Sequence, residues 1–429
     1  MNKYRNNVTQ LPAHEPFTTT YKKSTLANGI RIISEEVPTV QSFSLGVWID
    51  VGARDEQPLQ AGIAHFTEHA VFRGTTSRSS KQIASQFESL GAYINAFTSK
   101  EQTCYYVRAL SHHFEKTVEL VADVTMNPAF RAEDIRKERN VILEEIKSYD
   151  DEPEEFILDI GEKSVFGKHA LGNPIIGYAG TVKNITATQL HDFHTSYYTP
   201  DNIVIALAGN ISHSNAVAMV ERFFGKYKRR RKVVQHKRTL PRMFTPKHIE
   251  TERTFQQSHL LLIRRTFGAQ SKQRYALSLL NTILGDGMSS RLHQRIREKS
   301  ASAYTVYSSL QLLTDCGILS IYAGTETATL QRTETLIAAE LQKLITDTIP
   351  ARELQRAKEQ LKSSTIMALE SMSARMQTLA KMEMEEGAHE DVMATIAAID
   401  AVTLQDMKYL AEQFCTPETW SVVKIIGKG

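Results

Sequence analysis

Residues 65–69 read His65-Phe66-Thr67-Glu68-His69. In a helix, side chains four positions apart share a face one turn from each other, so the two imidazoles can hold one divalent cation between them. Glu68 leaves the same side of the helix, where its carboxylate can take a proton from a water on that cation. The pentapeptide is the H-x-x-E-H arrangement, the zinc-hydrolase motif in inverted order. A helix is expected over it, because residues 60–72 contain no proline and Gly74 follows where a helix end favours a left-handed residue. Taken alone, the same five residues also describe two ordinary histidines on a surface helix.

A second segment supplies the missing ligand. The spacing predicts a helix over 133–149, and read at 3-4-3-4 intervals its inner stripe is Ile135, Glu138, Ile142, Glu145 and Tyr149. Two carboxylates therefore stand where apolar residues belong. A buried carboxylate is costly unless a cation or hydrogen-bond donors compensate it. Glu145 is the natural third metal ligand, and Glu138 the group that orients a ligand histidine from behind. The competing reading gives both carboxylates to buried Arg or Lys partners.

Further stretches give the chain a family likeness. Glu145 lies 76 positions after His69, and Glu138 seven before Glu145. Phe72-Arg73-Gly74-Thr75, Asn95-Ala96-Phe97-Thr98-Ser99-Lys100-Glu101 and Tyr198-Thr199-Pro200-Asp201-Asn202 stand in the first part of the chain. Gly287-Met288-Ser289-Ser290-Arg291-Leu292 and Ile296-Arg297-Glu298-Lys299 stand in the second. With these motifs, from about residue 24 to 425, the chain resembles the pitrilysin/insulinase family of zinc metallopeptidases, in its processing-peptidase-like branch. The resemblance implies an α+β fold of two homologous halves, mostly antiparallel sheets covered by helices, that close like a clamshell around a substrate. It implies one Zn²⁺ per chain on His65, His69 and Glu145, with Glu68 as the base.

The resemblance also implies an Arg/Tyr pair in the second half, at Arg297 and Tyr304, which would bind the scissile carbonyl as negative charge develops. The common form of the intervening loop is Arg-Gly-Leu-Ala-Tyr, and here it is Ser300-Ala301-Ser302-Ala303-Tyr304. The missing glycine makes the shape of that loop a point for the structure to decide. Acidic residues at the positions of Glu155 and Asp159 recognise an arginine upstream of the cleaved bond in the processing branch. Here they would share a face if a helix begins after Pro153. Asn95, Ala96, Phe97 and Thr98 form a strand beside the metal that could take an extended peptide as an extra strand.

Stepping along the chain, residues 29–34 and the alternation of Phe43, Leu45, Val47, Ile49 and Val51 read as half-buried strands. Further strands are expected over Tyr93–Thr98, Gln102–Leu110 and Asn202–Ala208, with helices near 81–91 and 112–126. The second half repeats this order loosely. Strands are expected at His259–Arg264, Tyr304–Leu312 and Gly317–Gly324, and helices at Arg274–Leu284, Arg291–Lys299, 328–346, 351–370 and 373–386. The division is 1–225, a basic linker at 226–246, and 247–429, a half without the zinc motif. Its basic run, Lys228-Arg229-Arg230-Arg231-Lys232, reads as a solvated connector.

Composition excludes more than it identifies. With 41% apolar and 23% charged residues and a net charge of +3, the 429-residue chain has no excess charge for nucleic acid and no apolar run long enough for a membrane. Cys104, Cys316 and Cys415 form no C-x-x-C pair and read as reduced thiols of a cytoplasmic protein. The expectation is therefore a zinc endopeptidase acting on peptides or unfolded, presequence-like segments, paired as a homodimer or, less simply, a heterodimer. The alternatives are a general oligopeptide degrader, or a non-catalytic subunit that binds peptide or scaffolds a complex.

Overall fold

A computed structural model describes residues 21–228, 238–240, 243–385 and 392–429. The basic run at 229–232 and much of the expected linker lie outside the described residues. So does residue 386, the last of the helix expected from 373.

Two sheets carry the architecture. The first contains β1 (Tyr21–Thr25), β2 (Arg31–Glu36), β3 (Ser42–Ile49), β4 (Tyr93–Thr98), β5 (Thr103–Leu110) and β6 (Ile203–Gly209), in the order β1-β2-β6-β3-β5-β4. The second contains β7 (His248–Arg253), β8 (Ser258–Phe267), β9 (Thr305–Leu312), β10 (Cys316–Thr325) and β11 (Ser421–Gly427), in the order β7-β11-β8-β10-β9. Leaving out β1, the two orders are one topology used twice. Each has a single parallel pair, β2 with β6 and β7 with β11, among antiparallel ones.

Helices in the first half are α1 (Ile63–Val71), α2 (Ser80–Ser89), α3 (Phe114–Met126), α4 (Ala132–Asp151), α5 (Pro153–Phe166), α6 (Ala179–Val182), α7 (Ala187–Tyr197) and α8 (His213–Phe224). Those in the second are α9 (Arg274–Gly285), α10 (Leu330–Thr346), α11 (Ala351–Ala368), α12 (Met372–Glu385), α13 (Val392–Ala401) and α14 (Leu404–Phe414). The segment expected as an α-helix from Arg291 is a wider π-type helix over His293–Lys299. Among the described residues no helix is long and apolar enough to cross a membrane.

Strand alternation explains how the layers stack. Phe43, Leu45, Val47 and Ile49 of β3 and Ile203, Ile205 and Leu207 of β6 enter the core under the first half's own helices. The residues between them, Trp48, Val204, Ala206 and Ala208, point the other way, against Met376, Leu379 and Ala380 of α12. The second sheet repeats the arrangement. Leu260 and Leu262 of β8 face its own helices, while Leu261 and Ile263 face Ile157 and Val165 of α5. Each half thus lends one helix to the back of the other's sheet. With both faces covered, central strands such as Ile203–Gly209 are buried throughout and read as continuous apolar runs.

The exchange needs close approach. A Cβ on Gly161 of α5 would sit 2.4 Å from Leu261 Cδ2, and one on Gly46 of β3 would sit 2.5 Å from Met376 Sδ. Glycine at both positions lets each borrowed helix settle on its sheet without displacing Leu261 or Met376.

Candidate metal centre

α1 follows β3 after a connection, residues 50–62, that holds two 3-10 turns, and its Ile63, Phe66, Ala70 and Val71 enter the core. The 3-4 spacing then turns His65, Glu68 and His69 toward α4 and β4. α4 opens with Glu133 and Asp134, acids that suit a helix N-terminus, and buries Ile135, Glu138, Ile142 and Ile146. Glu145 lies on the same inner row, facing the two histidines.

His65 Nε2 is 3.9 Å from Glu145 Oε1, and His69 Nε2 is 3.7 Å from Glu145 Oε2. The imidazole centroids are 4.5 Å apart, and one ligand atom from each residue lies within 4.8 Å of the others. A tetrahedral zinc with ligands near 2.1 Å sets neighbouring ligand atoms about 3.4 Å apart, so the three groups are slightly more open than that. Two further observations fit a cation. Glu145 Oε2 is buried without a hydrogen-bond partner. Among the described residues Glu145 has no Arg or Lys beside it, only the histidines.

Glu138 lies behind the site. His69 Nδ1 and Glu138 Oε1 are 2.9 Å apart, and Arg73 Nε pairs with the other carboxylate oxygen. A carboxylate there holds the proton on Nδ1 and leaves Nε2 free to ligate. Burial works to raise the Glu138 carboxyl, but the hydrogen bonds from His69 and Arg73 outweigh it and hold the group below its ordinary range.

The two histidines divide. Burial first, and then the charge of His69, pushes His65 down to about 3, so its imidazole is neutral. Burial pulls His69 down too, but the Glu138 bond and the charges of Glu68 and Glu145 carry it above the usual value. Burial raises the carboxyls of Glu68 and Glu145.

Glu68 is held by the strand beside it. Thr98 Oγ1 donates to Glu68 Oε2 at 2.7 Å. β4 pairs with β5 on one side only, so among the described residues its other edge is open. On β4 the Ala96 N–H is taken by Asn95 Oδ1 at 2.8 Å, a local bond that an incoming strand can replace.

Asn95, Ala96, Phe97 and Thr98 line a cavity of about 690 Å³ together with His65, Glu68, His69 and Glu145. α5 begins at Pro153, as expected, and Glu155 and Asp159 reach the same cavity. Ser309 and Gln311 of β9, with Ile318 and Ser320 of β10, form the wall from the second half.

Sequence reasoning passed over several groups. Glu162 continues the acidic row one turn beyond Asp159, a position the same spacing argument reaches. Lys100 pairs with it at 2.5 Å and donates to Asn173 O at 2.7 Å; the sequence marks that lysine only as part of the 95–101 stretch, without a role. Burial, aided by Glu162, pushes Asp159 up to about 7. Thr98, expected in the strand that pairs with peptide through its main chain, uses its side-chain hydroxyl on Glu68.

Arg297 and Tyr304 stand outside the cavity. Arg297 is exposed on the π-type helix, and Tyr304 is 57% exposed and donates to Glu326 Oε1 at 2.8 Å. The loop between them answers the question of the missing glycine. Ala301, at the place of that glycine, takes φ +45°, a left-handed conformation that costs an alanine strain.

The chain matches two family models and several whole-chain relatives. Residues 31–178, which hold His65, Glu68, His69, Glu138, Glu145 and the cavity-lining part of α5, match the insulinase (peptidase family M16) model. Residues 184–361 match the peptidase M16 inactive domain. An uncharacterized zinc protease of Bacillus subtilis is 39% identical over 92% of the chain and 96% of its own length. The chain belongs to peptidase family M16. An uncharacterized zinc protease of Mycobacterium leprae is 39% identical to this M16 chain over 91% of it, covering 88% of the relative. Among solved structures, a protease from Helicobacter pylori covers 95% of the M16 chain and 99% of its own, at a TM-score of 0.89 and 22% identity. A Pseudomonas fluorescens structure described as a peptidase M16 inactive domain gives the same TM-score and identity over 95% and 98%. At that identity these two structures speak for the fold.

Proposed function

We propose that this M16 chain is a zinc-dependent endopeptidase for extended peptides or unfolded segments. The observation that carries the proposal is the convergence of His65, His69 and Glu145 beside a carboxylate, Glu68, that an edge strand holds in place. His65, His69 and Glu145 would hold the ion. When bound, zinc supplies Lewis acidity, lowering the pKa of water and drawing charge from a carbonyl oxygen.

The chain's own groups do the rest. β4 offers backbone donors and acceptors along an open edge, so a peptide lies there as an added strand and its sequence matters little to the pairing. Glu68, with Oε2 fixed by Thr98, keeps Oε1 for a proton, which it takes from water and returns to the leaving amine; such help is worth ~10²–10⁴-fold. Raising its pKa by burial makes it a better base and then a competent acid. Glu155 and Asp159 would hold a basic side chain of the peptide, with charge developing on Asp159 as the cation enters. Arg297 and Tyr304 enter the mechanism only if the two halves close further, bringing the tyrosine hydroxyl and guanidinium to the scissile carbonyl.

The test is zinc content by elemental analysis, with cleavage of a quenched peptide before chelation, after chelation and after zinc is returned. Mass-spectrometric mapping of products from basic and neutral peptides then separates a site-specific processor from a general degrader. A chain that carries one zinc and leaves every peptide intact would be the binding or scaffold subunit instead.

A further inference from the structure

The connection from β3 to α1 opens with a 3-10 turn, Ala53–Asp55, and three consecutive charged residues, Arg54, Asp55 and the capping Glu56, are buried there. Each has separate partners. Arg54 reaches the second half, with Nη1 donating to Asp315 Oδ1 at 2.7 Å and Nη2 to Asp315 Oδ2 at 2.6 Å. Its Nη1 also pairs with Glu101, whose Oε2 accepts from both the backbone N and Oγ1 of Thr314 at 2.9 Å. Thr314 and Asp315 form the turn between β9 and β10. Asp55 accepts from Arg238, at 3.0 Å from Nε and 2.8 Å from Nη2. Glu56 faces the other way and accepts from the N–H groups of Gly62 and Ala64, 2.9 Å each. That carboxyl closes the open N-terminus of α1 one residue before His65.

The same turn is stitched to the hairpin that carries Thr98. Ala53 N donates to Ser99 O at 3.1 Å and Arg54 N to Lys100 O at 2.7 Å. Two chains of contact therefore leave the turn. One runs through Glu56 to the start of α1 and His65. The other runs through Ser99 to Thr98 and so to Glu68.

We infer that this turn couples docking of the second half to assembly of the metal centre. Asp315 and Thr314, seated on Arg54 and Glu101, hold the turn in the register at which Glu56 caps α1 and Thr98 holds Glu68. Arg54, Glu56 and Asp315 are positioning residues: they act through α1 and β4 and touch neither metal nor peptide. A bidentate guanidinium–carboxylate pair is directional; without Asp315, Arg54 keeps Glu101 and Thr239 O but loses the contact that fixes the turn's register on the second half. The half without a zinc motif thereby acts on the metal site from a distance. The consequence for turnover rests on the peptidase reading; the coupling itself rests on the contacts.

The test is Asp315→Asn in the full chain, which keeps the shape and removes the charge. Zinc affinity is read by competition with a chromophoric chelator, without peptide. Then kcat and KM are read at saturating zinc. Zinc affinity should weaken about 10-fold, in the range for groups that orient metal ligands. Turnover should fall about 10-fold with KM nearly unchanged, as a displaced base requires. Asp315→Glu should recover most of both. Tyr307→Phe, which removes a different contact between the halves, Tyr307 to Glu154, should leave zinc affinity unchanged.

Wild-type zinc affinity and kcat in Asp315→Asn would overturn the coupling. So would an equal loss of zinc affinity in Tyr307→Phe, which would mean general loosening of the halves. Should Asp315→Asn fail to fold, Thr314→Val removes one hydroxyl donor and should lower zinc affinity about threefold; no loss there overturns the inference as well. The peptidase reading fails differently, with a wild-type chain that binds zinc and cleaves nothing.

Discussion

The two halves share a strand order and an order of helices, yet only one of them is equipped for chemistry. α1 and α9 each follow the strand at the same place in their sheets. His65, Glu68 and His69 are the third, sixth and seventh residues of α1; in α9 those places hold Ala276, Leu279 and Leu280, all buried. α4 and α11 compare in the same way. Counting from each helix's first residue, Ile135 and Ile142 correspond to Leu354 and Leu361, while Glu138 and Glu145 correspond to Ala357 and Ser364.

The frame is therefore indifferent to what stands at these positions. At most of these places apolar residues extend the core of the second half, Ser364 being exposed, whereas the first half carries polar groups of which Glu145 Oε2 still has no partner. A half-buried imidazole–carboxylate cluster costs stability that leucine would not, so its presence in one half marks a site.

Copying the second half's residues into the first breaks the contrast outright. His69→Leu, after Leu280, should abolish zinc uptake and peptide cleavage while the thermal unfolding midpoint holds or rises, checked by elemental analysis, peptide assay and calorimetry. Cleavage persisting in that variant would sink the metal assignment. Glu68→Gln separates the base from the ligands: zinc should remain bound and turnover drop by ~10²–10⁴-fold. Full turnover by the zinc-loaded variant would remove Glu68 from its role.

Glu138→Ala, after Ala357, tests the outer contact. Losing the partner of His69 should weaken zinc binding about 10–100-fold in a chelator competition, with peptide cleavage restored by excess zinc.

The exchanged helices sharpen the comparison at the level of packing. Gly161→Ala should cost about 1–3 kcal/mol in urea unfolding, since its methyl meets Leu261 at the back of the other half's sheet. An unchanged midpoint would show that α5 can slide on that sheet.

A pH dependence concerns Asp159, whose carboxyl is raised from 3.8 to about 7 by burial and then by Glu162. The folded chain keeps a proton there that the unfolded chain releases, so stability falls as pH rises from about 4 to about 7. Below that window both states are protonated and the contribution vanishes. Asp159→Asn should flatten this limb of a stability–pH curve, and a curve that overlies the wild type would mean that Asp159 is ionised in the fold.

What residue order determined by itself was everything local or periodic. The spacing of His65, Glu68 and His69 placed them on one face, and the misplaced carboxylates at 138 and 145 announced a partner, because a helix repeats every 3.6 residues wherever it is packed. Strand alternation in β3 and the row of Glu155 and Asp159 were legible for the same reason.

Only the tertiary structure decided the rest. That α5 and α12 cross to the opposite sheets, that Thr98 serves Glu68, that Lys100 meets Glu162 and that Arg54 finds Asp315 are contacts between residues tens to hundreds of positions apart. Nothing in the local pattern encodes such pairings. They follow from how apolar faces bury one another, and the buried charges then take whatever partners that packing brings within reach.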